Sequence, residues 1–222
     1  MNIEIKPSQR WLMMGPTRCG KTEFSKFMLR NISKRMPVFI VDPKCFWLGD
    51  NPVWETDKRK PGTVDKPHLV TRYNPKLWVQ VIQPIKYDDN LDRSFDAIIK
   101  QKYVYVHTDD NLGLCDANSV PDGFRKVCQM GAALHIGFND CAQTVERIPG
   151  IFKSQAENFV VFNMGQIAVE KLKEVSHLVQ VTVEELMDLE EYEYILFQRG
   201  KMKQGMWMPP LELSEIKKGQ AA

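Results

Sequence analysis

No apolar stretch in these 222 residues approaches the ~20 that a membrane-spanning helix needs. The N-terminus also lacks the apolar core of a secretory signal. Both absences lead to the expectation that the chain stays in the cytoplasm where it is made. Cysteine is scarce: Cys19, Cys45, Cys115, Cys128 and Cys141 are odd in number and scattered, with no C-x-x-C pair. That spacing speaks against a disulfide framework and against a zinc motif, and it fits a reducing compartment. An excess of charge of either sign is nearly absent too, with 30 Lys and Arg against 28 Asp and Glu. A formal net charge of +2 gives the monomer no overwhelming basic field, so a nucleic-acid partner is neither demanded nor excluded. There is no internal repeat and no low-complexity segment. At 43% hydrophobic residues the chain can build one α/β domain with a sizeable core.

What is present is one unambiguous motif. Gly15-Pro16-Thr17-Arg18-Cys19-Gly20-Lys21-Thr22 fits G-x-x-x-x-G-K-[ST], the phosphate-gripping P-loop, without a mismatch. Gly15 and Gly20 let the backbone curl so that its N–H groups face an anion. A helix starting near Lys21 adds its positive end. Lys21 is expected to reach the β/γ-phosphates of a nucleoside triphosphate and Thr22 to ligate Mg²⁺. The context is right: Trp11 to Met14 reads as a buried strand, and Phe24, Phe27, Met28 and Ile32 recur at helical spacing before Pro37. Cys19 lies where a helix N-terminus lowers a thiol pKa, which would suit a redox switch, but it reads first as an incidental loop filler.

The P-loop helix is expected to end near Arg35, and Val38 to Val41 reads as a buried parallel strand. Residues 43–67 dissolve into Pro, Gly and charge, an expected surface insertion carrying Trp47 and Trp54. Asp88 to Lys102 reads as an amphipathic helix, Tyr103 to Val106 as a strand, and Ser119 to Asp122 as a helix start. Ile136 to Ala142 and Phe159 to Phe162 supply further strands. Thr182 with Glu185 forms a capping-box signature, and Glu193 to Met208 a hairpin turning near Gly200. Alternating strands and helices predict a mostly parallel sheet between helices, in one domain over 1–222 with a flexible tail at 213–222.

Hydrolysis needs more than a P-loop. Asp109 and Asp110 follow a buried strand, where parallel α/β sheets build their sites. Asp109 is the expected Mg²⁺ partner and Asp110 the expected base for attacking water, although Asp-Asp-Asn-x-Gly is also good turn chemistry. Gln143, after the 136–142 strand, offers an amide that could sense the γ-phosphate or the water, or simply cap the strand. His107 reads as a half-buried strand residue or a proton shuttle. The basic groups Lys58-Arg59-Lys60, Lys100/Lys102 and Lys201/Lys203 read as solvated surface that could touch DNA phosphate in an assembly.

The ordered set resembles the FtsK/HerA superfamily of DNA-pumping ATPases over roughly residues 8 to 212. Val38-Phe39-Ile40-Val41-Asp42-Pro43-Lys44 is similar to its second strand, Asp109-Asp110 to its second nucleotide motif, and Gly131 to Gln143 to its sensor segment. Ile148-Pro149 followed by Phe159 to Phe162, and the final hairpin with Pro209-Pro210, are also alike. In size the chain is most similar to genome-packaging ATPases of membrane-containing icosahedral viruses of the tectivirus type. The resemblance implies a RecA-like α/β P-loop fold with a C-terminal β-hairpin, ATP and Mg²⁺ as cofactors, and a homo-oligomeric, expectedly hexameric, ring. It further implies sequence-independent double-stranded DNA, capsid or membrane vertex proteins as partners, and location in host cytoplasm and virion. Two departures stand out. Asp110 replaces the usual Glu, and Ala132 occupies the place of a trans-acting arginine. Arg125, seven residues before Ala132, and Arg147 are the candidates for that arginine. Alternatives are a cellular or conjugative DNA pump of the same superfamily, a P-loop small-molecule kinase, for which no compact Arg-bearing lid is present, and a nucleotide-gated assembly protein.

Overall fold

A computed structural model describes residues 5–45, 47–48, 67–109, 114–115, 120–146, 148–164, 186–189, 193–198 and 206–208. Among these residues the chain runs β1 (Arg10–Met14), α1 (Lys21–Ile32), β2 (Val38–Val41), β3 (His68–Leu69), β4 (Val79–Ile82) and α2 (Asp89–Gln101). It continues through β5 (Tyr105–Asp109), α3 (Asp122–Met130), β6 (Gly137–Ala142), α4 (Gly150–Gln155), β7 (Asn158–Phe162), β8 (Tyr194–Gln198) and β9 (Met206–Met208). The strands form one nine-stranded sheet in the order β3-β4-β2-β5-β6-β1-β7-β8-β9. Every pairing from β3 to β7 is parallel, and β8 and β9 close one edge antiparallel.

The central strands are apolar without alternation because both faces are covered. Trp11, Met13, Val38, Ile40, Tyr105, Cys141 and Val160 point to one side, where they pack with Phe24, Met28, Leu29 and Ile32 of α1. Leu12, Met14, Phe39, Val41, Val106, Phe138 and Val161 point to the other, against Leu91, Phe95 and Ile98 of α2, Phe124 and Val127 of α3 and Phe152 of α4. Phe124 is the hub of that second layer, with ring centroids 4.5 Å from Phe95, 5.7 Å from Phe152 and 6.3 Å from Phe138. Asp88 caps α2 by accepting the Leu91 N–H at 2.9 Å, as its sequence position predicts.

The expected α/β sheet and C-terminal hairpin are observed, with local corrections. α1 stops at Ile32, short of Arg35. β5 begins at Tyr105, because Lys102 and Tyr103 turn the chain with φ of 61° and 50°. β3 and β4 were not anticipated: β4 is four residues long and interrupted by Gln80, a polar residue fully buried by bonds to Asn74 N (2.7 Å) and Leu77 O (2.9 Å). The Thr182/Glu185 helix start, the Gly200 turn, Trp54, most of 43–67 and the 213–222 tail lie outside the described residues.

Phe124→Ala should empty the junction of α2, α3, α4 and β6 and cost about 3–5 kcal/mol. Urea denaturation at unchanged m-value measures it; a loss below about 1 kcal/mol would show that the layer repacks around the gap.

Candidate active site

β1 delivers the chain into the Gly15–Thr22 loop at the C-terminal edge of the sheet, beside the ends of β6 and β7. The Gly15 N–H donates to the Ala142 carbonyl at 3.2 Å, pinning the loop's first residue to the end of β6. A Cβ on Gly15 would lie 2.7 Å from Cys19 Sγ and 2.8 Å from Phe162 Cβ, so only glycine fits this approach. Gly20 sits at φ 106°, ψ 0°, a left-handed conformation that glycine adopts cheaply, and Arg18 at φ 68° adopts one at a cost of about 1–2 kcal/mol. Gly20 caps α1 with no side-chain hydrogen bond, leaving the first-turn N–H groups for an anion.

Lys21 folds back over this loop. Its Nζ donates to the carbonyls of Gly15 (2.7 Å) and Pro16 (2.6 Å) and lies 3.6 Å from Cys19 Sγ. Cys19 keeps to the loop-filler reading. Burial pushes its thiol up, outweighing the opposing pull of the Lys21 charge, so it is no activated thiolate. Pro16, Thr17 and Arg18 form the exposed crest of the loop.

The acid comes from two strands away. In the register β5-β6-β1, Asp109 pairs with Cys141 and Cys141 with Met13, a span of about 10 Å. Thr22, in the first turn of α1, bridges that gap: its hydroxyl donates to Asp109 Oδ2 at 3.2 Å. A hydroxyl and a carboxylate oxygen at this spacing, beside a loop whose glycine cannot carry a Cβ, form the all-oxygen donor pair that suits Mg²⁺ next to a phosphate. Thr22 and Asp109 would hold that ion, and residues 15–22 the phosphates.

Trp47 was missed as part of this site. The sequence placed it in a surface insertion and gave no sign of a contact with Asp109. It is fully buried, and its indole N–H donates to Asp109 Oδ2 at 3.0 Å. Its backbone N–H donates to Asp42 Oδ2 at 2.9 Å, and Gln83 Nε2 reaches the same oxygen at 3.3 Å. The available signal was an Asp directly after a buried strand, a residue type that turns the following backbone back on itself. The Trp47 ring centroid lies 4.7 Å from that of His107 and 6.0 Å from Lys26 Nζ.

His107 is fully buried rather than half-buried, and burial lowers its pKa despite the nearby Asp109 charge. Gln143 follows Ala142, whose carbonyl holds Gly15, and this puts the half-buried Gln143 at the rim of the loop. Arg125 is exposed in the first turns of α3, its guanidinium donating to the Val120 carbonyl at 3.1 Å. Asp110 and Arg147 lie outside the described residues.

A mostly parallel sheet whose central strand enters a glycine-bent loop before a helix defines a RecA-like P-loop fold. No protein-family profile and no curated protein sequence matches the chain. Solved structures do. The genome-packaging NTPase B204 of Sulfolobus turreted icosahedral virus 2, in complex with ATP-gammaS, aligns at TM-score 0.73 and 12% identity over 93% of this chain and 100% of that one. The same protein has been solved with AMP and with AMPPCP. B204 of Sulfolobus turreted icosahedral virus, a DNA-packaging ATPase, aligns at TM-score 0.65 and 13% identity over 94% and 100%. VirB4 of Thermoanaerobacter pseudethanolicus aligns at 0.59 and 10% identity over 94% and 93%. At these identities the likeness is one of fold.

Trp47→Phe keeps the ring packing and removes one donor from Asp109. It should weaken Mg²⁺-dependent nucleotide binding about 3–10-fold, as expected for one hydrogen bond, in a fluorescent-nucleotide titration. Unchanged affinity would remove Trp47 from the site.

Proposed function

We propose that the chain is an ATP hydrolase that works as a homo-oligomeric ring, expectedly a hexamer, driving double-stranded DNA into a preformed viral capsid. The observation that carries the reading is the Thr22–Asp109 contact beside the P-loop, within a fold shared with proteins whose described role is genome or DNA packaging. Lys21 is already held over the loop and is the cation positioned to meet phosphate charge. Bound Mg²⁺ would neutralise charge that develops on the transferring phosphoryl group. Asp110 would accept the proton of the attacking water, and Gln143, at the loop's rim, would orient that water. An arginine from the next subunit, Arg125 or Arg147, would lay a fixed positive fork on the same charge. Contacts to the DNA backbone would make binding sequence-independent and weaker at high salt. Vertex proteins of the capsid or its membrane would be the docking partners, placing the protein in host cytoplasm and virion.

The deciding measurement is ATP turnover with and without double-stranded DNA, alongside sedimentation to detect rings. DNA-stimulated hydrolysis by a ring, abolished in Lys21→Ala, is expected. Phosphorylation of a small acceptor would sink the reading in favour of a kinase, and nucleotide-dependent assembly without turnover would make the protein a gated scaffold.

Mixing two inactive variants tests the trans arginine. Arg125→Ala subunits keep an intact P-loop and Lys21→Ala subunits keep Arg125, so a mixed ring should regain part of the activity. No recovery with Arg125→Ala, but recovery with Arg147→Ala, would move the role to Arg147.

A further inference from the structure

Under the first turns of α1, on the face of the sheet that carries Asp109, lies a polar cluster of which the proposed hydrolytic site uses Asp109 alone. His107 is two residues before Asp109 on β5, and Cys141 is Asp109's register partner on β6, so the pleat turns all three side chains to one face. One donor atom from each of His107, Asp109 and Cys141 lies within 4.8 Å of the other two, and all three residues are buried. His107 Nδ1 is 2.9 Å from Asn139 Oδ1. The amide is oriented by a second bond, from Asn139 Nδ2 to Ser25 Oγ at 3.3 Å, so its oxygen accepts and the proton sits on Nδ1. Nε2 is left with a lone pair, buried and without a hydrogen-bond partner. Buried polar atoms are nearly always partnered, and an orphaned nitrogen on an imidazole clustered with a thiol and a carboxylate calls for an occupant.

We propose that His107, Asp109 and Cys141 form a buried site for a borderline-soft divalent transition metal of the Zn²⁺ type, and that filling it draws Asp109 away from Thr22. Imidazole nitrogen, thiolate sulfur and carboxylate oxygen are the donor set of such ions, whereas Mg²⁺ takes oxygen alone. Asn139 supplies the outer hydrogen bond that fixes the tautomer of a metal-binding histidine. Met13 Sδ lies 3.9 Å from Cys141 Sγ, and Ser25 Oγ 3.2 Å from it, which keeps the thiol's surroundings soft and polar. Tetrahedral coordination at bond lengths of about 2.0–2.3 Å places ligand atoms roughly 3.3–3.8 Å apart, so the three must close by up to about 1.5 Å. Binding breaks the S–H bond of Cys141, forms the metal–thiolate bond and releases one proton to solvent. The half-buried Thr22 edge of the nucleotide mouth is the way in. The cysteine spacing in the sequence shows none of this, because the ligands come from two strands and are 34 positions apart between His107 and Cys141.

The test is a Co²⁺ titration of the full chain without nucleotide. One equivalent should give a near-ultraviolet thiolate-to-metal charge-transfer band and tetrahedral ligand-field absorption, both displaced by Zn²⁺. Cys141→Ala should abolish the charge-transfer band, Cys128→Ala should leave it intact, and Asn139→Ala should weaken Co²⁺ binding about 10–100-fold. Absence of the band in the native protein, or its survival in Cys141→Ala, would overturn the site. The effect on Asp109 rests on the hydrolase reading and has its own readout: Zn²⁺ should inhibit Mg²⁺-dependent ATP turnover in the native chain but not in Cys141→Ala. Full turnover with the site loaded would overturn that second half. A chain that binds Co²⁺ yet turns over no ATP at all would count against the hydrolase and for the site.

Discussion

A carboxylate in the middle of a wide sheet has to be satisfied by groups that come to it, and Asp109 imposes that condition on this fold. It is only 4% exposed, and removing a charged group from water without partners costs several kcal/mol. Its donors arrive from two separate segments: the Thr22 hydroxyl from α1 and the Trp47 indole from the chain that leaves β2. Thr22 can reach only if α1 lies across β6, and Trp47 only if the backbone after Val41 doubles back, which Asp42 brings about by holding the Trp47 N–H. One buried acid thus fixes the seat of the P-loop helix and the first turn of the excursion.

The loop meets its own electrostatics with what is at hand. Gly20 and Arg18 hold left-handed backbone, and α1 begins without a side-chain cap, so the loop presents donors that a phosphate would satisfy. Lys21 turns its ammonium onto the carbonyls of Gly15 and Pro16, closing the loop from within. The burial this entails also explains Cys19. A thiol next to a lysine and a helix N-terminus should ionise easily, yet loss of water outweighs both.

What was legible in the sequence follows from how local each signal is. The P-loop, β1, α1 and the strand ending at Asp109 could be read because each is specified by residues within one short window, through glycine conformation, helical spacing or an unbroken apolar run. The two-sided cover of the sheet also followed, since Val38 to Val41 and Phe159 to Phe162 show no alternation. Trp47 was hidden because its partner, Asp109, is 62 positions away, and periodicity carries no information over that distance. β4 was hidden because Gln80 breaks a four-residue run, and its burial depends on bonds to Asn74 and Leu77 that only the folded turn provides. Tyr103 read as strand by residue type, while the backbone there is left-handed.

The two faces of the sheet divide the work, and the P-loop touches both. The α1 face carries Thr22, Asp109, Trp47 and His107; the opposite face is an aromatic layer centred on Phe124. Gly15 is bonded to Ala142 at the end of β6, and the same strand presents Phe138 to Phe124 and Phe152 on the far side. Phe124 is the residue before Arg125, at the exposed start of α3. A displacement of the loop's first residue therefore meets packed matter all the way to the surface that bears this arginine: a hydrogen bond, a strand and two aromatic contacts. Close-packed layers shift as bodies rather than deforming smoothly, so a site that changed shape with its phosphate would have a short mechanical route to the exposed start of α3.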